Sequence, residues 1–213
     1  SFPTRRSADL AIPAINDAEL ALGYYVLNSA ADAFEAKMGY NNPIKPCDSI
    51  LVQTTSAHDL VIKNTTNPAA VYVEPGSGDK RKPGYENIMF EIANNEHRDV
   101  AYAMFIDGAG LNKIEHMNAD VPMLYIHQDD EDYAIATMND NVISINLNFK
   151  AKTTGYYTLS VQPHGEFSYL HLIDKLTGSD VDMLKEKEYT FIGSAADKAE
   201  RFLVRLDPST SSG

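Results

Sequence analysis

The chain is 213 residues long and 44% hydrophobic, with 12 Tyr and 8 Phe, which is ample for a core and excludes a wholly disordered polypeptide. Its length suits one large sandwich or two small domains. With 18 basic against 30 acidic residues the formal charge is −12; this argues against nucleic acid and anionic membrane surfaces, which are bound through clustered Lys and Arg, and reads most simply as solubility.

In chain order, residues 1–10 lack a starting Met and an apolar signal region. They resemble a translated sequencing-adapter read-through of the kind seen in metagenome assemblies. Arg5 and Arg6 are then expected to carry no biology, and the native N-terminal portion to be missing. Residues 17–22 read as a short helix capped by Asn16, or else as a displaced strand. Residues 24–27 and 33–37 flank a turn at 28–32 and predict a hairpin. Pro43 and Pro46 prohibit helix and lead into a strand over 49–54. His58 and Asp59 sit at the turn into 60–63, residues 64–68 form a turn, and 70–73 read as a further strand.

Residues 74–84 hold three glycines and two prolines and form the most loop-like stretch, the one place to look for a domain boundary. They lack the order of a phosphate-binding loop, and strands on both sides are expected to share one core. Ile88, Phe90 and Ile92 alternate on one face, residues 94–98 turn, and Tyr102, Met104 and Ile106 oppose Ala101, Ala103 and Phe105. Residues 107–110 close that hairpin, and 111–120 read as a polar excursion. Two further strands follow at 123–126 and 133–137.

In the last third, Ile143, Ile145, Leu147 and Phe149 fall on one side of a strand. A turn at 151–155 carrying Gly155 predicts that this strand pairs antiparallel with its successor, in which Tyr157, Leu159 and Val161 oppose Tyr156, Thr158 and Ser160. Leu170 and Leu172 are the buried residues of 169–173, and Gly178 supplies the positive φ of the turn that follows. Val181 and Leu184 lead to a strand at 189–192, and 202–206 is the last. About a dozen short strands separated by turns, without helix–strand alternation, predict an all-β protein, an antiparallel β-sandwich of jelly-roll or immunoglobulin-like type over 11–206. It forms one continuous body, which leaves room for two sub-sandwiches. Residues 207–213 begin a linker.

Chemical motifs are sparse. Cys47 is the single cysteine, so no intrachain disulfide forms, and in its apolar setting it reads as a small buried hydrophobe. A Cys47–His58 pair lacks any identifiable orienting group. The histidines at 58, 97, 116, 127, 164 and 171 show no zinc-type spacing. Asp129, Asp130, Glu131 and Asp132 offer oxygen ligands suited to Ca²⁺ but lack the alternate-position pattern of a calcium loop, and a solvated acidic turn explains them equally. Tyr156 and Tyr169 are candidates for stacking on sugars, though tyrosine is also an ordinary strand residue. No metal, cofactor or catalytic residue is assigned, and no apolar run reaches the ~18 residues of a membrane span.

Four elements follow one another in the last third: Leu172, Ile173 and Asp174 with Thr177 and Gly178; Asp182, Met183 and Leu184; Tyr189, Thr190 and Phe191; and Asp197 with Arg201 and Phe202. In that order they resemble the β-sandwich module that precedes the C-terminal sorting domain in cargo of the type IX secretion system. Upstream, residues 44–62 are similar to a segment that precedes the module, with Ser49 where glycine is usual and Thr54 and Thr55 replacing an alanine-containing step. Residues 132–140 also fit, so the likeness spans about 24–206. It implies an exported protein of the outer cell surface and a monomeric, non-catalytic structural module attached to a missing N-terminal region and a missing sorting signal. A glycan-binding module is the alternative, and a hydrolase built on an unrecognised acidic pair is a third reading.

Overall fold

The alternating stretches do become strands. The computed structural model describes residues 20–38, 49–57, 86–139 and 141–208, and among them there is no helix. The strands are β1 (Tyr24–Asn28), β2 (Ala33–Lys37), β3 (Ile50–Leu51), β4 (Asn87–Ala93), β5 (Arg98–Phe105), β6 (Leu111–Asn112) and β7 (Met123–Gln128). They continue as β8 (Glu131–Met138), β9 (Ser144–Lys150), β10 (Gly155–His164), β11 (Phe167–Asp174), β12 (Ser179–Asp182), β13 (Glu188–Gly193) and β14 (Phe202–Pro208). The large sheet runs β12-β11-β14-β9-β7-β8-β5-β4-β10-β13, with β6 attached to β8, and a small sheet runs β2-β1-β3.

The large sheet folds over on itself, because strands remote in its order meet through their side chains. The Phe105 ring on β5 lies 5.8 Å from Phe167 on β11, and Phe149 on β9 lies 5.0 Å from Tyr157 on β10 and 5.3 Å from Phe191 on β13. The predicted inward set fills this core: Ile88, Phe90, Ile92, Ile145, Leu147, Phe149, Tyr157, Leu159, Val161, Leu170 and Leu172 are all buried. Each such side chain contributes roughly 1.5–3 kcal/mol on leaving water. The result is an all-β sandwich approaching a barrel.

On the other face of β5, Tyr102 and Met104 pack with Leu111, Ala134 and Ile135 against Tyr25 and Ala36 of the small sheet. Residues from both sides of the 74–84 loop therefore share this second core. The loop itself lies outside the described residues, as do Cys47, His58 and the segments 60–63 and 70–73. Gly23 admits the small sheet: its φ is +87°, and a Cβ there would meet Lys37 O and Ile135 Cδ1, each at 2.5 Å.

Several expectations need correction. The sheet is not wholly antiparallel, since β5 and β8 pair in parallel. β9 and β10 are not neighbours. β9 pairs with β14 and β7, while β10 pairs with β13 and β4. The 151–155 connection thus crosses between layers, with Ala151 buried and the Tyr157 hydroxyl donating back to Thr153 O at 2.8 Å. This is a tyrosine corner, which ties the chain back to its own backbone where it crosses between layers. Ile143 is 71% exposed, because β9 starts one residue later and its face is set from Ile145 onward. Of the strand expected at 49–54, only Ile50–Leu51 is regular; Thr54 adds an isolated bridge to Leu20. That bridge, and the Ala21 N–H donated to Gln53 O, place 20–21 in extended chain and not in the helical alternative. Residues 107–110 lead into β6, so the polar excursion opens with a strand whose Leu111 is buried.

Candidate functional site

Two clusters of buried charge stand out. The first gathers the four elements singled out in the last third. Asp174 ends β11 opposite Phe202, the first residue of β14, so the Arg201 side chain arrives directly beside it. Arg201 Nε donates to Asp174 Oδ1 at 3.0 Å and Nη2 to Oδ2 at 2.8 Å, a bidentate fork. Nη1 donates to Ile192 O at 2.9 Å and to Asp197 Oδ2 at 3.2 Å. The guanidinium carbon lies 4.3 Å from the Phe191 ring centre, a cation–π contact. Tyr189 Oη donates to Asp174 Oδ2 at 3.1 Å and Leu176 N–H to Oδ1 at 3.0 Å.

The Arg201 and Asp174 side chains are 2% and 0% exposed. Burial pushes the Asp174 carboxyl up, but the Arg201 and Tyr189 hydrogen bonds and the Leu176 N–H outweigh it and hold the group below its ordinary range. The remaining motif residues serve the same turn region. Gly178 has φ +77° and donates its N–H to Asp174 O at 2.8 Å. Asp182 accepts the Leu184 N–H at 3.1 Å, and Met183 is fully buried.

The second cluster was not anticipated. Asp99, the second residue of β5, accepts the Leu124 N–H at 2.7 Å on Oδ2 and the Val100 N–H at 2.9 Å on Oδ1. Lys113 Nζ lies 2.6 Å from Oδ1 and 2.5 Å from Oδ2. His116 Nε2 is 3.3 Å from Oδ1, while His116 Nδ1 accepts the Phe34 N–H at 3.2 Å. The Asp99 and Lys113 side chains are each 1% exposed and that of His116 2%. Burial pushes the Asp99 carboxyl up, and the Lys113 charge with the His116 contact more than reverses this. Lys113 and His116 sit in a segment, 111–120, whose polar composition reads as surface. What buries them is distant in sequence: the turn of the β1–β2 hairpin, whose Asp32 O accepts the Asn118 N–H at 2.9 Å.

The anticipated candidates are not brought together. Asp129 and Asp130 occupy the two-residue turn between β7 and β8, with φ of 52° and 63° and Gln128 paired to Glu131. This is a hairpin turn of type I′, in which Asp is one of the residues that tolerate positive φ. Asp132 is engaged by His127 Nδ1 at 2.7 Å. Among the described residues no group of three or more His, Cys, Asp or Glu is placed to hold a metal ion. Tyr156 is 73% exposed on β10, and Tyr169, on β11, stacks on His171 at 4.1 Å. Those strands are not hydrogen-bonded neighbours in the sheet. A depression along β10 and β13, lined by Ser160, Val161, Gln162, Pro163, Lys187 and Glu188, is open to solvent. Among the described residues no helix is long and apolar enough to cross a membrane. No family model, curated protein or solved structure matches this chain.

Proposed function

We propose that this chain is a non-catalytic β-sandwich of an exported, cell-surface protein, a spacer between an N-terminal functional region and a C-terminal type IX sorting signal. One observation supports this reading above the others. The residues that carry the resemblance, Asp174, Tyr189, Asp197 and Arg201, are spent on a single buried ion cluster that fixes the last strands to one another. Residues invested in this way serve rigidity, and they present no group to a substrate. Recovery of the parent reading frame, followed by its expression in a bacterium with type IX secretion, tests the proposal. The expected result is a β-rich segment of domain size after Gly213 and a product accessible to protease on intact cells. A stop codon directly after Gly213, with the product retained inside the cell, refutes it.

The exposed Tyr169–His171 stack favours glycan binding as a second reading. A glycan array probed with the chain and with Tyr169→Ala decides it: binding lost in the variant supports a sugar site, and absence of binding removes it.

A further inference from the structure

We propose that Lys113 and Asp99 condense into an intramolecular isopeptide bond, with His116 as the proton relay. The proposal rests on the geometry of the second cluster alone and is independent of the secretion reading. Lys113 Nζ is almost equidistant from the two Asp99 oxygens, at 2.6 and 2.5 Å, so the amine and the carboxyl group it would join are already in direct contact. Both side chains are 1% exposed. Water is therefore kept from the carboxyl, and the amine is held against its target in the manner that turns a bimolecular condensation into a fast intramolecular step.

The attack starts from the neutral form of the pair. Ammonium with carboxylate carries two charges out of water, whereas amine with carboxylic acid carries none. Passing one proton from Nζ to Oδ1 produces the neutral pair. The amine lone pair then forms the Nζ–Cγ bond, and the carbonyl electron pair moves onto Oδ2. That oxygen faces the Leu124 N–H at 2.7 Å, a donor placed where negative charge develops.

The electron pair on Oδ2 then re-forms the carbonyl as the Cγ–Oδ1 bond breaks, and Oδ1 leaves as water. Both protons of that water come from the original ammonium. The first is passed directly, and the second travels through His116, which gives its Nε2 proton to Oδ1 and regains one from Nζ. His116 suits this relay because its tautomer is fixed. Nδ1 is occupied by the Phe34 N–H, so Nε2 carries the proton, 3.3 Å from Oδ1. Nε2 is also a buried polar atom with no well-aligned hydrogen-bond partner. Nothing is oxidised or reduced, and no co-reactant is needed.

Mass spectrometry of the full chain tests this directly. Neither Lys nor Arg occurs between Asp99 and Lys113 or between Lys113 and Lys150. Trypsin therefore yields separate peptides 99–113 and 114–150 from an unlinked chain. A linked chain gives one peptide, 99–150, uncut at Lys113 and lighter by one water, and the intact denatured chain shows the same loss. Lys113→Arg, which keeps the charge, is expected at its full sequence mass. Loss of water that persists in Lys113→Arg signals a succinimide and overturns the proposal, as does a wild-type chain at sequence mass that is cut at Lys113. In refolding time courses, His116→Ala is expected to accumulate the light species roughly a hundredfold more slowly. An unchanged rate overturns the relay.

Discussion

Arg201→Met is the most informative single perturbation of the fold. Methionine occupies similar space but withdraws both arms of the fork, leaving Asp174 with only the Tyr189 hydroxyl and the Leu176 N–H as partners. The carboxylate stays where it was, 0% exposed, and now carries an uncompensated charge in a site that water does not reach. Removing one partner of a buried pair costs about 3–5 kcal/mol. The loss of the cation–π contact with Phe191 at 4.3 Å adds to this. With a urea m-value of about 3 kcal/mol/M for a chain of this size, the midpoint falls by about 1–1.7 M. Urea titration followed by tyrosine fluorescence reads the change. The double variant Asp174→Leu with Arg201→Met removes both charges and is expected to lose less than Arg201→Met alone. A midpoint drop below about 0.3 M at unchanged m-value refutes the argument that this pair is desolvated and mutually dependent.

The same pair sets the acid limb of stability. Its folded carboxyl lies below the unfolded value of about 3.9, so its contribution is fully present above about pH 4 and is lost as pH falls through the folded value. Asp174→Asn is expected to flatten that limb in a series of urea titrations run down to about pH 2; an unchanged slope contradicts the assignment. Tyr157→Phe removes the hydroxyl bond to Thr153 O, 2.8 Å long, and is expected to cost about 0.5–1.5 kcal/mol with the near-ultraviolet spectrum retained. A loss of zero in urea melts removes the tyrosine corner's role. Gly23→Val forces a β-branched residue to φ +87° and a Cβ into Lys37 O and Ile135 Cδ1. Hydrogen exchange is expected to speed up in β1 and β2 while the amides of β4, β10 and β14 stay protected. Uniform loss of protection indicates instead that the small sheet does not open by itself.

Much of the sandwich was legible because strands with one wet face must alternate. Ile145, Leu147 and Phe149, or Tyr157, Leu159 and Val161, announce both a strand and its inward side. Strand β5 was also readable, although its two alternating sets bury against different cores, Ala101 and Ala103 in one and Tyr102 and Met104 in the other. Pairing was less legible. A five-residue turn with a glycine serves a hairpin and a crossing between layers alike. What separates them is whether the turn itself is buried, which at Ala151 depends on the whole fold. The parallel contact between β5 and β8 has no local signature at all, since their register is set by the intervening β6 and β7.

Neither charge cluster was legible in the sequence as a site, and they differ in what the sequence offered. Asp174, Tyr189, Asp197 and Arg201 are spread over 28 positions and belong to the ordered pattern singled out in the sequence, which marks these residues without saying that their side chains meet. Asp99, Lys113 and His116 have no such pattern. Lys113 and His116 lie in a stretch rich in Asn, Glu and Asp, where an exposed lysine is the ordinary expectation. They are buried only because a hairpin some eighty residues earlier closes over them through Asp32 O and the Phe34 N–H. Charge placed in the interior by a distant element leaves no trace in local composition. A buried ion pair is weak support for stability in its own right. The Asp99 cluster therefore differs from its counterpart in chemistry as well as in visibility: Arg201 holds Asp174 with a guanidinium that resists deprotonation, whereas Lys113 presents Asp99 with an amine that can become a nucleophile.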